Sequence, residues 1–336
     1  MILFSPAKIN IGLLVTRRRQ DGFHDIQSVM VPVPLYDLIE IMETGGPESG
    51  IQRNHTEIHR NHTGNHGNHT ENPTRNHGNH GNHTEIHRNH TGNHGNHTRI
   101  HMTCTGIPAG TGMQNNLCFR AYEMLDRETP LPRVNLHLHK QIPVGAGLGG
   151  GSSDASTTLK GLNRLAPDPV SPEKLEEIAG RLGSDCPFFL HTGPMVAEGR
   201  GEILTPVTLN LEGLFLVILY PGIHIPTAEA YREVKPVMPG RHLVNLINEP
   251  VNRWKELIGN DFEFPVFQKF PELAAIKQEL YGSGALYASM SGSGSSLYGL
   301  FSSLPSLPED LARLVIWKGP AGLPQTPVDG PEGPGR

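Results

Sequence analysis

The string Pro143-Val-Gly-Ala-Gly-Leu-Gly-Gly-Gly-Ser-Ser-Asp-Ala-Ser156 limits what this chain can fold into more than any other segment. It lies between an alternating run, Val134–His139, that predicts a strand and a helical pattern from Ser153 to Leu165. Glycines without Cβ let successive backbone N–H groups turn inward, and the start of the helix adds partial positive charge. Together they make an anion site suited to di- and triphosphates. Ser152 and Ser153 add hydroxyls able to bond phosphate or to help hold Mg2+.

Other readings compete for the same string. Gly145, Gly147 and Gly150 satisfy the spacing of a dinucleotide fingerprint, which also needs an acidic residue closing a second strand about 20 residues on. Asp168 stands at that distance but in Pro-Asp-Pro, a turn. A Walker-type loop needs Gly-Lys-Ser/Thr at its end, and here Gly151 is followed by two serines. A purely structural glycine turn has no use for so much permissive backbone.

The chain has 336 residues, enough for two domains, and a net charge of −5 that makes no general demand for nucleic acid or an anionic membrane. The N-terminus shows no basic region leading into an apolar one, so no signal peptide is expected. The most apolar run, Leu214–Tyr220, is short enough to read as a buried strand rather than a membrane span. Cys104, Cys118 and Cys186 are too few and too scattered for a disulfide framework or a zinc site, which fits a reducing cytoplasm.

Two segments stand apart. Residues 51–101 are built from units beginning Asn-His, and Asn54–Thr70 returns word for word as Asn82–Thr98. Without apolar a and d positions no coiled-coil seam exists, and the segment buries too little to offset its ordering entropy, so disorder is expected. Its Asn-His-Thr triplets fit a glycosylation sequon but lack a secretory route, and its histidines fit only loose metal binding. The tail, 319–336, is rich in proline and glycine and reads as flexible.

Elsewhere the pattern predicts strands at 2–4, 9–15, 26–33, 37–42, 100–105, 214–220, 285–289 and 297–301. Helices are predicted at 115–125, 172–182, 243–257 and 271–282, with Gly183 closing the second. The mixture lacks regular βαβ alternation and favours α+β. His137 and His139 alternate along a strand; without a third ligand an exposed strand face explains them better than a metal site.

Three separated strings, Ser5–Asn10, Pro143–Ser156 and Ser289–Ser295, occur in the order of the three motifs of the GHMP kinase superfamily, which the chain therefore resembles. Asp21-Gly-Phe-His24, Leu182–Phe188 and Pro226–Tyr231 narrow the resemblance to the branch that acts on 4-diphosphocytidyl-2-C-methyl-D-erythritol in non-mevalonate isoprenoid synthesis. The likeness covers nearly all of the chain outside 51–101 and the tail. It implies a ribosomal-protein-S5-like N-terminal domain (1–212), a ferredoxin-like C-terminal domain (213–318) and an active site in the cleft between them. It also implies ATP and Mg2+, a small-molecule acceptor, no nucleic-acid or membrane partner, a monomer or homodimer, and no dedicated protein metal site.

By the same resemblance Asp185 is the general base and Lys8 its partner. A carboxylate can accept the proton of a weakly nucleophilic hydroxyl, and an ammonium stabilises charge on the transferring group. Read alone, Lys8 would be a solvated charge and Asp185 the cap of the segment after it. The nucleotide falls to Pro143, Gly145, Gly147, Leu148, Gly149, Gly150, Gly151, Ser152 and Ser153. Asn10, Phe23, His24 and Tyr231 fall to the acceptor, with Phe23 where many relatives carry tyrosine. Cys186, beside the base, reads as packing unless exposed. A metal-sequestering protein on a retired kinase scaffold is the rival reading, and retention of Lys8, Asp185 and the whole glycine loop argues against it.

Overall fold

In this computed structural model residues 1–45, 99–108, 110 and 112–322 are described. The chain begins with two long strands, β1 (Ile2–Arg18) and β2 (His24–Glu43), paired antiparallel along their length. There follow β3 (Ile100–Gly106), α1 (Leu117–Asp126), β4 (Val134–Lys140), α2 (Gly150–Leu165), α3 (Pro172–Leu182), β5 (Met195–Gly199) and β6 (Ile203–Pro206). The second half comprises β7 (Phe215–Leu219), α4 (Thr227–Glu233), α5 (Leu243–Ile247), α6 (Trp254–Leu257), α7 (Glu263–Lys269), α8 (Pro271–Gly282), β8 (Tyr287–Met290), β9 (Leu297–Phe301), α9 (Glu309–Ala312) and β10 (Val315–Pro320). The fold is α+β.

The first sheet runs β3-β4-β2-β5-β6, with β1 also on β2; the second runs β10-β7-β9-β8. Among the strands of the described residues only β3 and β4 pair in parallel. The length of β2 makes this possible, because Ile26–Met30 pair with β5 and Leu38–Glu43 with β4. One core lies between the sheets, where Ile9, Ile11 and Val29 meet Leu216, Ile218 and Tyr298. A second packs Ile39, Leu136 and Leu138 against Leu159, Leu162 and Ile178 of the helices. A third packs Val217, Leu297 and Phe301 of the second sheet against Leu273, Ile276 and Leu280 of α8.

Ser5–Lys8, expected to separate two strands, lies inside β1. Pro6 has no N–H to donate, and the register shifts between Pro6 and Ala7, so a bulge absorbs the misfit and the strand continues. The helix expected over 243–257 is broken into α5 and α6, with Pro250 between them forbidding continuous helical bonding. Gly183 does end α3, but with φ 177°, an extended residue and no left-handed cap. Ile100 and His101, counted both in the repeat and in the strand expected at 100–105, belong to β3, where they pair with Val134 and Asn135. Gly319 and Pro320, assigned to the tail, pair with Leu216 and Phe215. The disorder expected for residues 51–98 and the flexible end after 322 fall on segments outside the described residues. Among the described residues no helix is long and apolar enough to cross a membrane.

Candidate active site

The glycine string folds as a loop whose Gly145, Gly147 and Gly149 have φ of 68°, 79° and 70°, backbone that side chains rarely tolerate. A Cβ on Gly147 would stand 2.0 Å from the Ser291 carbonyl oxygen, so the loop packs backbone to backbone on the 291–295 turn. Ser291 Oγ donates to the Gly147 carbonyl at 2.9 Å, and Ser296 N–H to Ala146 O at 3.1 Å. From Gly149 the chain enters α2, three residues earlier than the sequence suggests, and no side chain caps that end. Helix geometry leaves the first N–H groups without intrahelical acceptors, and Gly150, Gly151 and Ser152 line the adjoining cleft.

That cleft has a volume of about 430 Å³ and draws its lining from β1, the loop, the start of α1, residues 184–185, α4 and the 292–293 turn. Lys8, 4% exposed, points into it from β1. Its ammonium donates to Asn10 Oδ1 at 2.5 Å and to the Gly147 carbonyl at 3.2 Å, and stands 3.6 Å from Asp185 Oδ2. Asn10 donates in turn to Ser28 Oγ at 2.8 Å, which donates to Gly12 O at 2.7 Å. Asn10 thus lines the cleft with its amide already committed to holding Lys8. Asp185 is a third exposed and lines the cleft.

Most of the residues assigned to the nucleotide come together: Pro143, Gly145, Gly147, Gly149, Gly150, Gly151 and Ser152 all line the cleft. Leu148 and Ser153 do not. The Leu148 side chain is buried in the core between the sheets, and only its carbonyl contributes here, accepting from Lys8 N–H at 2.9 Å. Ser153 is fully buried on the far side of α2, its hydroxyl bonded to Ser5 Oγ at 2.8 Å, so it faces neither phosphate nor metal.

At the other end Tyr231 lines the cleft, and burial, helped by the Asp185 charge, pushes its phenol up to about 12. His24 stacks on it at 5.2 Å between centroids, inclined 22°. Burial, then the Arg18 charge, lowers the His24 pKa and favours a neutral imidazole. Phe23 is mostly exposed and carries the Arg200 guanidinium 5.1 Å from its ring centre. Phe23 and Tyr231, both assigned to the acceptor, therefore each have another partner here. His137 and His139 bond Thr103 and Thr105 on an exposed strand face, and no cluster of three metal-ligating side chains exists among the described residues. Asp168 lies in a bend, not at the end of a strand.

Sequence reasoning missed the buried triad beneath the loop. Lys140 ends β4 with its ammonium on Asp37 Oδ2 and, at 2.8 Å, on Asp154 Oδ2. Asp37 Oδ1 also accepts the N–H groups of Gln141 and Ile142, fixing the backbone just where the loop departs. Burial would lower the Lys140 pKa, but the two carboxylates outweigh it and raise it. The signal was present: Lys140 continues the inward phase of Val134, Leu136 and Leu138, and Asp37 that of Ile39 and Ile41. A charge on the apolar phase of a strand needs a buried partner.

An uncapped helix start under a glycine loop, with a lysine–carboxylate pair at its mouth, defines a phosphotransferase of the GHMP type. The chain belongs to the GHMP kinase family. The family model for the GHMP kinases N terminal domain matches residues 116–193, and that for the GHMP kinases C terminal matches 243–315. The 4-diphosphocytidyl-2-C-methyl-D-erythritol kinase of Azobacteroides pseudotrichonymphae is 41% identical over 90% of this chain and 93% of its own. The protein of that name from Bacteroides fragilis is 38% identical over 90% of this chain and 92% of its own. A crystal structure of 4-(cytidine 5'-diphospho)-2C-methyl-D-erythritol kinase superposes with a TM-score of 0.64 at 28% identity, covering 89% of this chain and 90% of that one. A mevalonate kinase, at TM-score 0.55 and 13% identity, shares the fold.

Proposed function

We propose that this chain transfers the γ-phosphoryl group of ATP to the 2-hydroxyl of 4-diphosphocytidyl-2-C-methyl-D-erythritol. The observation that carries the reading is Lys8, held 3.6 Å from Asp185 at the mouth of the glycine loop. Asp185 accepts the hydroxyl proton as the oxygen bonds to phosphorus and ADP departs. Lys8, fixed by Asn10 and the loop carbonyl, stabilises charge on the transferring group without having to reorganise. Because phosphoryl transfer proceeds through a loose transition state, this positioning matters more than the strength of the base.

The N–H groups at the start of α2 fit a triphosphate, and the left-handed glycines let the loop that leads to them pack closely on His224, Ser291 and Phe189. Mg2+ suits the donor set as a phosphate-bound ion: Ser152 lines the site, and the ion typically keeps its waters and takes few protein ligands. When bound it neutralises phosphate charge. The identity of the relatives supports the cytidyl acceptor, as does Tyr231, which lines the cleft with His24 stacked on it. We take the working division as an N-terminal part (1–212) and a C-terminal part (213–318), the boundary lying between the two family matches. We keep a monomer or homodimer as the assembly, and an ATP-dependent biosynthetic step fits the cytoplasm.

The test is turnover of the cytidyl acceptor with ATP by wild type and Asp185→Asn. Loss of about 10²–10⁴-fold in kcat with ATP binding intact is expected of a missing general base. Full activity in the variant would remove Asp185 from the chemistry, and turnover of homoserine or mevalonate in place of the cytidyl acceptor would replace the substrate.

A further inference from the structure

Among the described residues three cationic side chains line the cleft: Lys8, Lys140 and Arg200. The two lysines are 4% and 3% exposed and are committed, Lys8 to Asn10, the loop carbonyl and Asp185, Lys140 to Asp37 and Asp154. Neither has charge to spare for an anionic group on the acceptor. The start of α2 lies at the nucleotide end.

Arg200 differs. It sits in the tight turn between β5 and β6, whose first strand pairs with β2 beside the β1–β2 turn that carries Phe23. Its side chain is 43% exposed, and its ion pair is a 3.5 Å contact with Glu202, a third exposed. A pair so open to water contributes little and is readily exchanged. The nearby Asp21 is held by Arg19 at 3.0 Å. The guanidinium lies over the Phe23 ring at 5.1 Å. A cation resting on a π face keeps N–H donors for a further acceptor, and the planar fork matches phosphate oxygens.

We infer that Arg200 recognises the diphosphate of the acceptor, with Phe23 as the platform that holds its guanidinium at the cleft. The inference rests on the cytidyl-diphosphate reading above and adds the residue that selects the charged acceptor over an uncharged one. A sugar alcohol without phosphates would gain nothing from it.

Binding of CDP and of cytidine to wild type, Arg200→Gln and Arg200→Lys, measured by calorimetry, reads this directly, with the Michaelis constants of acceptor and ATP beside it. One charged hydrogen bond lost predicts that Arg200→Gln weakens CDP about tenfold, with cytidine unchanged. The acceptor KM should rise in parallel, the ATP KM should hold within twofold, and Arg200→Lys should recover part of the loss. An unchanged preference for CDP over cytidine in Arg200→Gln, with an unaltered melting temperature, would overturn the assignment. The binding comparison does not depend on turnover. A wild type that holds CDP through Arg200 yet phosphorylates no cytidyl acceptor would fault the reaction and keep the residue, and one that prefers CDP no more than cytidine would sink the role of Arg200.

Discussion

Asp154 shows how much a single buried oxygen can matter. Its Oδ2 meets Lys140, but its Oδ1 has no partner, and the residue is almost wholly buried. Burial, with the Asp37 charge, lifts its pKa to about 7 against the pull of Lys140. The folded value lies above that of the unfolded chain, about 4. The group's contribution to stability is therefore complete below pH 4 and is lost as pH rises through about 7. Asp154→Asn should flatten that loss: between pH 5 and 8 the melting temperature of wild type should fall more than that of the variant. Parallel profiles would mean that Asp154 stays charged throughout. Cys186 is settled at the same scale, since it is fully buried and burial pushes its thiol to about 11, as packing requires. Lys8 and Asp185, assigned by resemblance to the GHMP kinases, stand 3.6 Å apart in the fold. Ser153 was misread because its identity suits phosphate, and only the direction of its hydroxyl toward Ser5 removes it.

Among the elements, α3 was legible to the residue, because Ser171 caps it, proline occupies its first turn and its apolar stripe is regular. The start of α2 was not, since glycines at 150 and 151 carry no helical signal and are drawn into the helix by the close packing of the loop. Gly150 lies so near Ile142 that a Cβ would stand 2.8 Å from it. The loop's hold on the 291–295 turn gives a sharp prediction for Gly147→Ala. A left-handed alanine costs about 1–2 kcal/mol, and its Cβ would lie within 2.0 Å of the Ser291 carbonyl, so the two loops must part. We expect a stability loss of at least that size by urea unfolding, with ATP KM raised about tenfold or more. A variant with wild-type ATP affinity would show that the nucleotide does not depend on this contact.

For the described molecule as a whole, the governing fact is that the two sheets share a core. Residues from β1 and β2 pack on residues from β7, β8 and β9 in one hydrophobic cluster. Tyr298, buried in β9, crosses that core to donate its hydroxyl to the Asn10 carbonyl at 2.8 Å, two residues along from Lys8. Tyr298→Phe should cost about 1–3 kcal/mol, the penalty of an orphaned buried carbonyl, and leave a single cooperative urea transition. Two separated transitions would show that the sheets unfold independently. The sequence by itself determined the glycine loop and the order of most elements, because these rest on local chemistry: glycine's freedom, periodicity and caps; Lys8 and Asp185 were singled out only by the resemblance to the GHMP kinases. The tertiary structure alone decided which charges meet below the loop, which serine faces the cleft and where Arg200 lies. Asp37 and Lys140 are 103 residues apart, and Phe23 and Arg200 lie on different hairpins. Such encounters depend on strand register and side-chain direction across the sheet, and local periodicity carries neither.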